Sequence, residues 1–276
     1  MKLKKIIAES IKKIRRSVLC KKELYEINMF IYKLALHGIG ILNYESDKIS
    51  GEKVFLEKIF AGMESPTIVD IGANIGEYSE KICLNSSNPT IYALEPHPGN
   101  FQKLEENIEG RNITTIRKAC GDVEKRVNLF DYEEGGSSHA STVEGVVSKV
   151  HKKEKQKVKV DMTTLDRLIK KRNIYTIDLL KVDTEGNEIE VLRGAKKAIE
   201  RNVIRCIQIE FNEMNVESRT FAKDFVEYLK RYNVFRMLPN GLVELGEYRP
   251  VEYEIFAFQN IVAIHKNEKD MVKSLT

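Results

Sequence analysis

From Thr67 onward the chain alternates short apolar, β-branched runs with helical stretches, and this alternation restricts the fold more than any other feature. Thr67–Ile71, Thr90–Leu94, Ile113–Ala119, Thr176–Val182 and Val203–Ile209 read as strands. Ile75–Leu84, Pro98–Ile108, Thr163–Lys171, Glu185–Ile199 and Ser218–Tyr232 read as helices, the second with proline at its start, where a missing N–H costs nothing. Strands that alternate with helices predict an α/β, Rossmann-like fold: a mostly parallel central sheet with helices on both faces. Val127–Asp131 and Lys157–Asp161 alternate in hydrophobicity and are expected to pair. Tyr132–Gln156 between them is long and rich in Gly, Ser, His and Lys, as expected of a lid or binding element. Two last strands are expected near Val234–Leu238 and Ile255–Ile264.

Ahead of this core, residues 1–22 read as a basic amphipathic helix, with Leu3, Ile7, Ile11, Ile14 and Val18 forming one apolar stripe. Two readings stand side by side: a solvated helix docked on the core, or peripheral contact with an anionic membrane surface or a lipid-linked substrate. Residues 23–42 suggest a second helix and residues 53–61 a short one. The expected organisation is an N-terminal helical extension (1–50), a core domain (51–266) and a C-terminal tail (267–276).

The net charge of +4 on 276 residues, with no basic stripe interleaved with aromatics, argues against nucleic acid as a partner. Cys20, Cys83, Cys120 and Cys206 show no CxxC spacing and read as reduced core residues. No run reaches the roughly 20 apolar residues of a membrane span, and residues 1–22 are too charged for a secretory leader. A cytoplasmic protein, with or without membrane association, is the expectation.

The chemistry concentrates where strands end. In IVDIGANIGEY (68–78) a buried strand runs into Gly72, Ala73, Asn74 and Gly76; Gly72 permits a tight turn and Gly76 a close backbone approach. Ligands of open α/β sheets bind beyond the carboxyl ends of the strands. The spacing departs from G-x-G-x-x-G, and Asp70 just before the turn would repel a pyrophosphate while suiting a cationic ligand such as S-adenosylmethionine. Glu95 and Pro96 follow the second strand, about 20 residues on, where an acid grips ribose hydroxyls; a surface carboxylate is the alternative. Gly121 and Asp122 follow the third strand, with Asp122 able to accept from an adenine amine. Lys181 and Asp183 end the fourth strand on one face, either as a structural ion pair or in use at a site. Glu210 and Asn212 end the fifth beside them.

VDIGANIGEYS (69–79), ALEPHP (93–98), TTLDRL (163–168), LLKVDTEGNEIEVLRGA (179–195) and IEFN (209–212) together resemble the FkbM family of S-adenosylmethionine-dependent methyltransferases, over a segment from Gly51 to about Lys266. The resemblance implies the class I methyltransferase fold and O-methylation of a hydroxyl on a sugar, glycan, glycolipid or secondary metabolite. It implies that Asp70, Gly72, Asn74 and Gly76 hold the methionine end of the cofactor, that Glu95 holds the ribose, and that Asp122 lies near the adenine.

A neutral alcohol is a poor nucleophile, so a base or a metal is expected. Asp183 is the first candidate; His139, in the long loop, is the second and has an exposed loop histidine as its bland alternative. Asp183, Glu210 and Asn212 also offer oxygen ligands for Mg²⁺. The strand end Lys181-Val182-Asp183-Thr184 lacks the Asn/Asp-Pro-Pro-aromatic turn of many amine methyltransferases, which favours oxygen as acceptor atom. The rival readings are an NAD-dependent sugar oxidoreductase or epimerase, a non-catalytic cofactor-binding module of the same fold and, more weakly, an RNA methyltransferase.

Overall fold

The computed structural model describes residues 18–131, 137, 140–146 and 156–276. Most of the amphipathic helix expected over 1–22, and His139 with it, lie outside the described residues.

The helical N-terminal part comprises α1 (Tyr25–Gly38), a single turn α2 (Asp47–Ser50) and α3 (Glu52–Ile59). The core follows as β1 (Thr67–Ile71), α4 (Glu77–Asn85), β2 (Thr90–Leu94), α5 (Pro98–Asn107), β3 (Ile113–Ile116), β4 (Ala119–Cys120), β5 (Lys125–Asp131), β6 (Gln156–Thr163) and α6 (Leu165–Arg172). It continues with β7 (Ile177–Val182), α7 (Glu188–Arg193), α8 (Lys196–Glu200), β8 (Ile204–Phe211), α9 (Met214–Ser218), α10 (Ala222–Tyr228), β9 (Tyr232–Leu238) and β10 (Gly241–Glu244). The last elements are α11 (Pro250–Tyr253), β11 (Gln259–His265) and α12 (Lys269–Leu275).

Eight strands form one sheet in the order β10-β9-β11-β8-β7-β1-β2-β3. From β3 to β8 every neighbouring pair is parallel, while β11 runs antiparallel between β8 and β9. Sequence order reverses between β1 and β7, which places a crevice at their carboxyl ends. Both faces are covered, so the central strands are apolar on both sides. Ile68, Ile91 and Leu179 pack with Phe55, Leu56 and Ile59 of α3 and Ile82 of α4. Val69, Ile71, Leu180, Val182 and Ile207 pack with Leu165, Leu168, Val191, Leu192 and Phe225 on the other face. This is the Rossmann-like sheet expected from the alternation.

Several elements differ from expectation; among them, the strand expected at Ile255–Ile264 begins at Gln259, and the expected C-terminal tail carries α12. The run Ile113–Ala119 stops pairing with β2 at Ile116, and Ala119–Cys120 joins β6 in a second sheet of order β4-β6-β5, where β5 and β6 pair antiparallel as their alternation predicted. The helix expected to start at Glu185 begins at Glu188, because Glu185 (φ 55°) and Gly186 (φ 99°) are left-handed. The stretch Ser218–Tyr232 holds one helix, α10, preceded by left-handed Arg219 (φ 55°). Among the cysteines, Cys120 and Cys206 are buried, Cys83 is half-buried, and Cys20 is exposed rather than in the core.

Candidate functional site

A cleft opens at the carboxyl ends of β1, β2 and β7. Its walls include Ile71, Gly72, Asn74, Leu94, Glu95, Pro96, Asp183, Thr184, Glu185 and Asn187, and about 520 Å³ lies between them, the open mouth included. Two glycines make the turn beneath it. A Cβ on Gly72 (φ 84°) would lie 1.7 Å from the Asp183 carbonyl oxygen, so glycine is what lets the end of β7 close on the β1 turn. A Cβ on Gly76 (φ 93°) would lie 2.7 Å from Leu104 of α5.

Glu95 fastens this turn to β2. Its Oε2 accepts the Asn74 N–H at 3.0 Å and its Oε1 accepts the His97 N–H at 2.8 Å. Burial pushes its pKa up to about 7, with nearby Asp70 and Asp131 adding to the rise and the two backbone donors opposing it. His97 caps α5 by accepting the Gly99 N–H, and its Nε2 lies 3.6 Å from Asp131 Oδ2; burial lowers its pKa. Asp131 takes both the N–H (2.8 Å) and the hydroxyl (2.5 Å) of Ser137, whose carbonyl accepts from Asn100. Ser137 is thereby held at the edge of the cleft, which Ala140 and Thr142 also line.

The opposite wall is the turn after β7. One carboxylate organises it: Glu188 Oε1 accepts from the Thr184 N–H, the Thr184 hydroxyl and the Gly186 N–H, and Oε2 accepts from Asn215. Glu185 is thus set in its left-handed conformation with its carbonyl accepting from the Ser141 hydroxyl at 2.7 Å. Burial, and then the negative charges of Asp183, Glu188 and Glu213, raise the Glu185 pKa well above the carboxylate range, with Lys181 opposing. Asn187 ties this turn to β4 through the Cys120 carbonyl.

Behind Asp183 lies a buried polar row. Asp70, Lys181 and Gln208 are in register on β1, β7 and β8. Lys181 Nζ is 3.3 Å from Asp183 Oδ2, 3.8 Å from Glu52 Oε1 and 5.3 Å from the centre of the Tyr78 ring. Burial opposes its charge, but Asp183, Glu52 and Glu210 outweigh burial and hold its pKa above the ordinary value. Gln208 accepts from the Tyr78 hydroxyl and donates to Glu52 and Asn260. Glu210 accepts from Asn212; burial first, then Asp183, raise its pKa.

Gly72, Asn74, Glu95, Pro96 and Asp183 stand on the cleft wall; other residues singled out from sequence do not. Asp70 was expected to hold the cofactor, but it faces away from the cleft because side chains alternate along β1; it accepts from Ser79 at 2.7 Å, and burial raises its pKa to about 6. Ala73 packs with Ala93 and Leu104, and Gly76 caps α4. Gly121 is pressed against Met162, and Asp122, expected near the adenine, is exposed and pairs with Lys125 at 3.7 Å. Lys181 is an ion-paired residue behind the wall, and Glu210 lies beside it. Among the described residues no group of three His, Cys, Asp or Glu side chains is placed to hold a metal ion. Lys181 is itself the cation among the acids that were candidates for Mg²⁺. Sequence reasoning missed Glu185 and Asn187 as wall residues. The signal was Glu185-Gly186 directly after a strand end, which favours a turn over a helix start.

The cleft residues fit S-adenosylmethionine. Among the described residues, Ile71, Leu94, Ala119, Cys120 and Leu129 offer apolar surface for a flat base, Glu95 keeps acceptor capacity for ribose hydroxyls, and Asp183 lines the same cleft.

The chain is similar in sequence to known methyltransferases. The chain is 29% identical over 161 residues to Methyltransferase 1 of Beauveria bassiana, covering 52% of this chain and 65% of that protein. It is 25% identical over 143 residues to the hexuronic acid methyltransferase AglP of Haloferax volcanii, covering 50% and 53%. It is 22% identical over 187 residues to the 2-O-methyltransferase NoeI of Sinorhizobium fredii, covering 64% and 76%. The chain thus spans less than two thirds of the length of the first two relatives. The sequence profile of the methyltransferase FkbM domain matches residues 70–237, from the strand end before the glycine turn to β9 and across more than half of the chain. With every described residue of the cleft wall inside that span, the chain belongs to the FkbM methyltransferase family.

Proposed function

We propose that this protein is an S-adenosylmethionine-dependent O-methyltransferase acting on a hydroxyl of a sugar, glycan or glycolipid. The observation that carries the reading is the carboxylate-lined cleft at the switch between β1 and β7, with Glu95 buried at the end of β2. One relative is named for a hexuronic acid and another for transfer to a 2-O position, which favours oxygen on a sugar-like acceptor.

The cofactor, when bound, supplies an electrophilic methyl group on a sulfonium. Glu95 would hold its ribose, Asn74 and Gly72 would border its methionine end, and the apolar wall would take its base. What remains for the chain is to orient an acceptor hydroxyl and take its proton. Glu185 suits the proton: it lines the cleft, and the burial and neighbouring carboxylates that raise its pKa make its ionised form a stronger base than an ordinary carboxylate. Asp183, fixed by Lys181, would orient the hydroxyl from the same wall.

Turnover with methyl-labelled S-adenosylmethionine against free sugars, nucleotide sugars, glycolipids and extracted polysaccharides tests this. Label is expected in an acceptor as a base-stable methyl ether. Binding of a nicotinamide dinucleotide in place of S-adenosylmethionine, or label transferred to an amine, would overturn it.

A further inference from the structure

Helix α1 turns an apolar stripe outward. Ile27, Phe30, Ile31 and Leu34 fall at positions i, i+3, i+4 and i+7, so they share one face, and each is more than half exposed. On the whole helix only Leu36 is buried. Val18 and Leu19, just before it, are also exposed. A contiguous apolar surface of this kind marks a contact site.

Charge indicates what the contact is. Residues 1–22 contain nine Lys or Arg and one Glu, while the whole chain nets only +4, so the rest of the molecule is net acidic. Positive charge is thus gathered immediately before the apolar stripe. Two copies of the chain meeting here would bring two such segments together against mutual repulsion, whereas an anionic surface would attract them.

The position of α1 gives the contact a purpose. The turn leaving it is fastened to the sheet: the Leu42 N–H donates to the Phe258 carbonyl at 2.8 Å, and Gly40 sits so close to Met237 that a Cβ would lie 2.5 Å from its carbonyl oxygen. Met237 is next to last in β9 and Phe258 precedes β11, which runs antiparallel to β8 and β9, so both mark the carboxyl edge of the sheet. The cleft opens on that same edge.

We propose that α1 lies in the interface of an anionic lipid bilayer, its stripe of Ile27, Phe30, Ile31 and Leu34 among the acyl chains, drawn there by the positive charge that the sequence gathers ahead of it. No described helix is long and apolar enough to cross a membrane, and the contact proposed for α1 is with the interface. It places the cleft edge beside the lipid surface. The proposal stands on α1 and charge alone and holds whether or not the cleft transfers a methyl group.

The full chain sedimented with phosphatidylcholine vesicles, with and without phosphatidylglycerol, tests it. Binding is expected to the anionic vesicles, and at least about tenfold more weakly without phosphatidylglycerol or after replacing Ile27, Phe30, Ile31 and Leu34 together by serine. Those side chains are exposed, so the variant should keep its fold and its thermal transition. The chain has no tryptophan, so Phe30→Trp is a clean reporter whose emission should shift to the blue when anionic vesicles are added. Undiminished binding of the serine variant, equal binding to both vesicles, or unchanged Phe30→Trp emission would overturn the proposal. So would Phe30→Trp emission that is already blue without lipid, which would assign the stripe to another part of the chain. A dimer in solution that the serine variant dissociates would assign it to a second copy and equally overturn the lipid reading.

Discussion

The backbone N–H of Asn74 donates to the Glu95 carboxylate across 3.0 Å, so the residue expected to hold the cofactor's ribose also ties the glycine turn to the end of β2. Substitution therefore has two effects. Glu95→Ala strands the Asn74 and His97 donors in a buried place, at about 1–3 kcal/mol each, and lowers the melting temperature. Glu95→Gln keeps one acceptor oxygen and most of the fold. Both variants should weaken S-adenosylmethionine binding by more than about tenfold, roughly 1.4 kcal/mol or more, read by calorimetry. Unchanged affinity in the glutamine variant would remove Glu95 from the ribose site.

Cofactor affinity should depend on pH through the same group. Glu95 has its pKa raised to about 7, and only its ionised form offers both oxygens to hydroxyl donors. As pH falls below about 7 the carboxylate protonates, and the dissociation constant should rise by roughly tenfold per pH unit. Titrations at pH 8 and pH 6 check this; in Glu95→Gln the slope should flatten.

Asp70 makes a separate claim about stability. Its folded pKa of about 6 exceeds the ordinary 3.8, so between these values the native state binds more protons than the unfolded one. Stability from this group therefore falls as pH rises through that window and levels off above about 6, a difference of about 3 kcal/mol. Asp70→Asn imitates the protonated form and can still accept from Ser79. It should gain stability relative to the wild type as pH rises from 4 to 8, by denaturant melts at each pH. A constant difference would mean that Asp70 is not penalised by burial.

Much of this was legible in the chain because it is local. The strand around Val69, the glycine turn, and Glu95 after a second apolar strand all follow from spacing, and spacing also placed Lys181 and Asp183 on one face, where they meet at 3.3 Å. What could not be read was set by contacts distant in sequence. The helical pattern from Glu185 to Ile199 is sound, but Glu188 spends its carboxylate on Thr184 and Gly186, and this delays the helix and turns Glu185 onto the cleft wall. The face that Asp70 takes depends on how β1 sits against α4, and Glu52, outside the segment matched by the family profile, reaches Gln208 only through tertiary packing. Nothing in the sequence of α1 tells that its apolar stripe stays uncovered.

Glu185 should carry the proton. Glu185→Gln preserves size and the backbone bond to Ser141, and it should lower kcat by at least about a hundredfold, in the range of a lost general base. The dissociation constant for S-adenosylmethionine should change less than about threefold, since the ribose and base contacts lie on the other wall. Asp183→Asn should raise KM for the acceptor and lower kcat less severely, because an amide can still orient a hydroxyl. If Asp183→Asn abolishes turnover while Glu185→Gln keeps it, the two roles are reversed.

Lys181 is the cation that makes the acidic row tolerable. It is 4% exposed, and Asp183, Glu52, Glu210 and Asp70 all act on it. Lys181→Met keeps the length and apolar stem but leaves those carboxylates facing one another, which for a broken buried pair costs about 3–5 kcal/mol. The deficit carries a definite pH signature. Without the cation Asp70 and Glu210, whose folded pKa values burial already raises, rise further, so the native state takes up protons more readily than the unfolded state, and stability is lost as pH rises and recovered as it falls. The loss in melting temperature should accordingly be largest near pH 8 and smaller near pH 5.5. A deficit independent of pH would show that packing around the Tyr78 ring, and not charge, is what Lys181 supplies.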